Sequence, residues 1–255
     1  MNILAIHAHP DDIEILAGGT LAQLSAAGHP LTIVTMTAGD CGSDLHSQEE
    51  IAAIRRGEAA RSAARIGARY LCAEFRDFNI FSDDASRRRV IEILRRVAPQ
   101  VVITASPIDY LCDHEATSQL VRDACFGAML PNYATGAPDA APPLGAIPHL
   151  YFVDPIGGVD REGRPLAPDF FVNVAAQMEI KTAMLAEHAS QREWLLRHHG
   201  IDDYLETMKA WTRENGRRAG VAYAEGFRRY KGHPYPESPL LEEILSSTVI
   251  RAPHR

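Results

Sequence analysis

The chain has 255 residues, 46% hydrophobic and 23% charged, with 26 basic against 33 acidic side chains and a net charge of −7. That length buries a sizeable core without needing disulfides or metals to fold, and the composition excludes disordered, collagen-like and coiled-coil chains. The acidic balance speaks against a nucleic-acid partner. Cys41, Cys72, Cys112 and Cys125 form no C-x-x-C pair and read as reduced thiols of a cytoplasmic protein. The opening apolar run is short and lacks a basic flank, unlike a signal peptide. No apolar stretch approaches the ~18 residues needed to span a bilayer, so no membrane association is expected.

In chain order, Ile3–His7 reads as a buried strand, Ala17–Ala27 as a helix stopped at Gly28, and Leu31–Thr37 as a second strand. Gln48–Ile66 is a long helix with arginines among alanines. Tyr70–Phe75 is a third strand, Asp84–Val97 an Arg-rich helix ended by Pro99, Val101–Ala105 a fourth strand, and Glu115–Met129 a further helix. Short apolar strands alternating with helices indicate βαβ units. The fold expected is α/β: a Rossmann-like, mostly parallel sheet with helices on both faces. Ligands of such sheets bind beyond the carboxyl ends of the strands.

Residues 132–148 read as a loop rich in Pro and Gly. His149–Val153 and Phe170–Val174 read as strands around a turn-rich insert, Gly157–Pro168. Met178–Leu196 and Asp202–Asn215 read as helices, followed after Gly232 by a proline-rich, weakly helical end. Composition does not shift enough for a second domain. One domain over 1–255 is expected, with a core of about 1–130 and a C-terminal elaboration over 131–255. The elaboration would shape the pocket rim, and its aromatic residues offer a surface for homo-oligomer contacts.

The sharpest feature is His9-Pro10-Asp11-Asp12, directly after the first strand. Pro10 restricts the backbone on both sides of itself. A lone Asp there would read as a helix cap. Two adjacent carboxylates beside an imidazole repel each other unless a cation is present. A second cluster, Asp109 to Glu115, follows the fourth strand at the same expected edge. In it, Asp113 either caps the helix or orients a neighbour. His9, Asp12 and His114 together make a two-His, one-carboxylate set, which suits a catalytic divalent ion with an open position. Zn2+ fits most readily, with Fe2+ or another divalent metal also compatible. G-x-G-x-x-G is absent after the first strand, so a nicotinamide or flavin cofactor is not expected.

A-H-P-D-D-x-E with G-G-T, and the later D-H opening a helix, resemble the LmbE-like/PIG-L family of zinc-dependent de-N-acetylases. The likeness is clear over roughly residues 1–130 and looser beyond. The resemblance implies a Rossmann-like fold and hydrolysis of an N-acetyl group from a small N-acetylglucosaminyl conjugate. It implies His9, Asp12 and His114 as metal ligands and Asp11 as general base. It further implies Arg55 as a substrate-holding arginine, and Asp40 and Asp77 as sugar contacts. His188-x-x-Gln191 resembles a helical signature without an assigned role.

One position departs from the pattern. The family reads H-x-D-H in the second motif, and its first His helps polarise the acetyl oxygen; here that position is Leu111. Losing one oxyanion donor costs ~10²–10³ in turnover. A non-catalytic or specialised relative that binds a sugar conjugate through its metal pocket is therefore the alternative. His7, His149 and Tyr151 are the candidate replacements; His7 shares a strand face with position 9, and it also fits a buried supporting role. Asp113 would then orient His114 or a substrate group. The weaker features read blandly. His198-His199 is a solvent-facing pair, Trp194, Trp211 and Tyr223 are packing aromatics, and Arg87-Arg88-Arg89 with Arg95-Arg96 is a solvated helix face.

Overall fold

The computed structural model describes residues 1–199 and 204–252, with the side chains of His198 and His199 outside the description. The first half follows the expected alternation: β1 (Ile3–His7), α1 (Asp12–Ala26), β2 (Leu31–Thr37), α2 (Gln48–Ala64), β3 (Arg69–Phe75), α3 (Asp84–Val97), β4 (Val101–Thr104) and α4 (Cys112–Gly127). The second half adds β5 (His149–Val153), β6 (Phe170–Asn173), α5 (Met178–Ala186), α6 (Ala189–His199), α7 (Tyr204–Ala219), β7 (Ala224–Arg229), α8 (Leu240–Ile244) and β8 (Val249–Arg251). All eight strands form one sheet in the order β3-β2-β1-β4-β5-β7-β6-β8. The first five are parallel; β7, β6 and β8 join antiparallel.

Alternation along the strands divides the core. Ile3, Ala5, Ile33, Val101, Ile103 and Tyr151 face a layer that includes Leu21 and Leu24 of α1 and Met184 of α5. Leu4, Ile6, Val34, Met36, Val102 and Phe152 face Val90, Leu94, Leu120 and Val121 of α3 and α4. Both faces being covered is why the strands read as continuous apolar runs.

Several boundaries differ from the sequence reading. α1 begins at Asp12 rather than Ala17; it is buried nearly all round, so no polar stripe marks its first turn. α4 begins at Cys112 rather than Glu115. The single helix expected over Met178–Leu196 is two, α5 and α6, parted at Glu187 and His188. Both residues there are tied to other elements: Glu187 accepts from Arg61 and Arg65, and His188 meets Glu14. β7 was not expected at all, because its sequence AEGFRR hides a buried Glu225 paired with a buried Lys181 at 2.5 Å. Arg95 is not solvated but buried, donating to the carbonyls of Ala128 and Leu130 beyond α4. The first two residues of the helix expected over Asp202–Asn215 lie outside the described residues; from Tyr204 it runs on to Ala219. No helix among the described residues is long and apolar enough to cross a membrane, and the four cysteines are unpaired thiols.

Candidate active site

The carboxyl ends of β1 and β4 are neighbours in the sheet, so the loops after them converge. Residue 11 makes the turn from β1 into α1 with φ 94°, in the left-handed region that a non-glycine residue occupies only under constraint. Its side chain makes no cap bond to α1, so neither carboxylate of the pair serves as the helix cap. Asp12 instead folds back under the loop. Its Oδ2 accepts the His9 backbone N–H at 2.8 Å and lies 2.7 Å from His7 Nδ1, 3.3 Å from His9 Nδ1 and 3.3 Å from His114 Nε2. Three imidazoles therefore surround one carboxylate oxygen.

Each outer imidazole has a second carboxylate behind it. His114 Nδ1 lies 3.1 Å from Asp109 Oδ1, and His9 Nε2 lies 3.1 Å from Asp113 Oδ2. A carboxylate behind the distal ring nitrogen is the arrangement that orients metal-binding histidines. Burial disfavours the charged imidazoles, yet the carboxylates outweigh it. Asp113 and Asp12 raise His9 to about 9, and Asp12 and Asp109 raise His114 to about 10. Asp12 is itself buried, but His114 and His7 hold it well below the usual carboxylate range. The site thus demands positive charge, which either protonated imidazoles or a divalent ion satisfies. His7, Asp12 and His114 form a group able to ligate, with donor atoms within 4.8 Å of one another. His7 is 1% exposed, burial pushes its pKa below the ordinary imidazole value against the pull of Asp12, and its Nε2 has no hydrogen-bond partner. His9 is the imidazole of the pair that lines the cavity above.

That cavity, of about 660 Å³, opens over His9, Asp11, Asp12 and His114. Asp11 is buried, which pushes its carboxyl up; Arg55 opposes this, Asp12 adds to it, and the result is about 6. Arg55 sits 3.9 Å from Asp11 Oδ2 and donates to the carbonyls of Pro10 and Gly39. A Cβ at Gly39 would lie 2.3 Å from the guanidinium, so only glycine admits Arg55 there. Asp11 Oδ2 also accepts the hydroxyl of Tyr204 at 2.5 Å.

The other sequence candidates are distributed as follows. Asp77 lines the cavity; its Oδ2 accepts the Cys41 N–H, and its buried Oδ1 lacks a hydrogen-bond partner and lies 3.9 Å from His9 Nε2. Asp40 does not line it: both its oxygens are taken, by Arg76 Nε at 2.8 Å and the Asp77 N–H at 2.9 Å. Asp40 therefore braces the loop that presents Asp77. Asp113 is not a helix cap but accepts the Phe78 N–H as well as facing His9. Leu111 is on the cavity wall. His149 and Tyr151 are elsewhere, bonded to Ser238 and Glu242. His188 docks α6 onto α1 through Glu14 at 3.1 Å, and Gln191 lines the cavity with its Oε1 unpartnered. Trp194 and Trp211 also line it, whereas Tyr223 stacks under Arg213. Sequence reasoning missed Tyr204, Asp109 and Glu14 as site residues. Asp109 and Glu14 stand within quoted motifs; Tyr204 stands in none.

Residues 4–125 match the family described as PIG-L, GlcNAc-PI de-N-acetylase. A diacetylchitobiose deacetylase of Thermococcus kodakarensis is 28% identical over 239 residues, covering 90% of this chain and 83% of that protein. A 4-oxalmesaconate hydratase of Pseudomonas putida is 25% identical over 196 residues, covering 74% of this chain and 73% of that protein. Among solved structures, the N,N′-diacetylchitobiose deacetylase of Pyrococcus horikoshii superposes with a TM-score of 0.76 at 26% identity, over 94% of this chain and 88% of that one.

Proposed function

The chain carries a PIG-L/LmbE-like family domain over residues 4–125, and we propose that it is a metal-dependent hydrolase removing the N-acetyl group from an N-acetylated amino sugar conjugate. The observation that carries this reading is the convergence on Asp12 Oδ2 of imidazoles from the two loops, at the floor of a cavity that also holds Asp11. His9, Asp12 and His114 would hold the ion on the cavity side, with His7 supporting Asp12 from beneath. The set His7, Asp12 and His114 has its own support in the unpartnered His7 Nε2, and metal content separates the two. Two imidazoles and a carboxylate suit zinc or iron(II). A bound divalent ion supplies Lewis acidity toward an amide oxygen and brings the pKa of water to about 7.

The chain's own groups supply the proton transfers. Asp11, raised to about 6, is matched to accept a proton from water near neutral pH. Tyr204 commits only Oδ2 of Asp11, and Oδ1 accepts no hydrogen bond among the described residues. The protonated Asp11 then hands its proton to the leaving amine. Arg55 fixes the Pro10 and Gly39 carbonyls, and with them the placement of Asp11. Asp77 and Gln191 offer unpartnered polar atoms to sugar hydroxyls. Leu111 offers no oxyanion donor, and of the three candidate replacements only His7 reaches the site.

The test is to incubate the zinc-loaded protein with N-acetylglucosamine derivatives and follow free primary amine and acetate. Equal release of both is expected. Sugar binding without either product would favour a non-catalytic role. Turnover of an unsaturated tricarboxylate without amine release would place the chemistry with the hydratase relative.

A further inference from the structure

We propose that the amino sugar is carried on an apolar aglycone, an alkyl or aryl group, which packs along the side of the cavity formed beyond β4 and β5. The inference rests on the deacetylase reading and names the substrate class within it. The sheet order divides the cavity. The loops after β1, β2 and β3 bring His9, Asp11 and Asp77, with Arg55 and Gln191 alongside. The loops after β4 and β5, with α7 above them, bring Leu111, Ile156, Met208 and Trp211. On that second side the side-chain hydrogen-bonding groups are the hydroxyls of Tyr110 and Thr207 and the Trp211 indole N–H, set among Leu111, Ile156 and Met208. A buried hydroxyl left without a partner costs about 1–3 kcal/mol, so a second sugar ring fits this side poorly and a hydrocarbon loses nothing there.

The mouth supports the same division. Phe78 holds φ 59° and is 65% exposed. An exposed phenyl in the left-handed region costs free energy and contributes nothing to the core. It is nevertheless fixed, because its N–H donates to Asp113 at 2.8 Å, the carboxylate that also faces His9. The loop from β3 is thereby drawn across β1 to the start of α4, where Tyr110 is 68% exposed and stands edge-on to His114. Two exposed rings on hydrogen-bonded backbone, beside an apolar wall, form a platform for an apolar group entering with the sugar.

The experiment compares methyl, phenyl and octyl glycosides of N-acetylglucosamine, in both anomers and below micelle formation, with N,N′-diacetylchitobiose, reading acetate release by the zinc-loaded enzyme. The octyl or phenyl glycoside should exceed the methyl glycoside in kcat/KM by about tenfold, the worth of roughly two buried methylenes. Trp211→Gln and Phe78→Ser should each lower the octyl-to-methyl ratio toward one. A ratio taken on one preparation is independent of the fraction folded, so a destabilised variant still answers. Equal kcat/KM for all the glycosides, or chitobiose above the octyl glycoside, overturns the inference and leaves the deacetylase reading intact. If no glycoside is hydrolysed, that reading fails. The indole fluorescence of Trp194 and Trp211, the two tryptophans of the chain, then decides the aglycone question: quenching by octyl but not methyl glycoside supports it, and equal response overturns it.

Discussion

The sheet changes character at β5. On one side lie five parallel strands whose carboxyl ends present His9, Asp11, Asp12, Asp77 and His114 at a single edge. On the other side β7, β6 and β8 run antiparallel, so their ends alternate and, among the described residues, gather no cluster of this kind. The second half contributes differently. α6 and α7 lie over the edge built by the first half and lower single residues onto it, Gln191 and Tyr204 among them. Parallel strands concentrate chemistry because every crossover returns the chain to the same edge; the antiparallel part supplies walls and braces.

The largest expected effect falls on the parallel side. Asp11→Ala should reduce kcat by about 10²–10⁴, the usual worth of a positioned acid–base group, with bound metal remaining near one per chain. Retained turnover would remove Asp11 from the reaction. His114→Ala should instead lose the metal, read by elemental analysis. His9→Ala and His7→Ala decide between the two ligand sets: loss of metal in the first but not the second assigns the ion to the cavity-side histidine, and the reverse assigns it to the deeper one.

The next effect tests whether the antiparallel side is mainly a brace. Lys181, wholly buried on α5, gives its ammonium to Glu225 of β7 at 2.5 Å. Glu225 also accepts the N–H groups of Gly19 and Thr20 in the middle of α1. This explains the Gly18-Gly19 pair: a Cβ at Gly19 would lie 2.7 Å from Val174, and one at Gly18 3.3 Å from Lys181. Lys181→Met leaves a buried carboxylate without its cation and should cost about 3–5 kcal/mol, measured by denaturant unfolding. The Lys181→Met, Glu225→Gln double variant should recover part of that loss. Equal losses in the two would mean that packing, not charge, holds the halves together.

Much of the parallel half was legible because its signals are local. Alternating apolar runs and helical stretches give β1 to α4 within a few residues, and His9, Asp11 and Asp12 stand together in one tetrapeptide. What escaped was non-local. That Asp40 is spent on Arg76 and the Asp77 N–H, rather than turned to the cavity, depends on how the loops after β2 and β3 meet. β7 escaped because a buried ion pair breaks its apolar alternation, and the start of α1 because a helix buried all round shows no amphipathic face. Tyr204 carries no motif; only packing at the start of α7 brings it to a residue nearly two hundred positions earlier.

That contact yields the smallest of these effects, and it tests whether the covering half does more than cover. Tyr204 is 6% exposed, and its hydroxyl donates to Asp11 Oδ2 at 2.5 Å. A hydrogen bond to a charged group is worth about 1.5–3 kcal/mol. It holds the carboxyl in one orientation and favours its ionised form. Tyr204→Phe keeps the ring that packs with Leu185 and Met208 and removes only the donor. We expect kcat to fall by about tenfold, the rate equivalent of 1.4 kcal/mol, with KM and metal content unchanged. The proton on Asp11 should also be held more tightly. The hydroxyl lowers the affinity of Asp11 for a proton, against the dominant upward push of burial. Its loss should move the acid limb of the kcat profile to higher pH. A fall in Tm with kcat and the pH profile unmoved would make Tyr204 a packing residue. A displaced acid limb at constant metal content would make the antiparallel half a participant in the proton transfer.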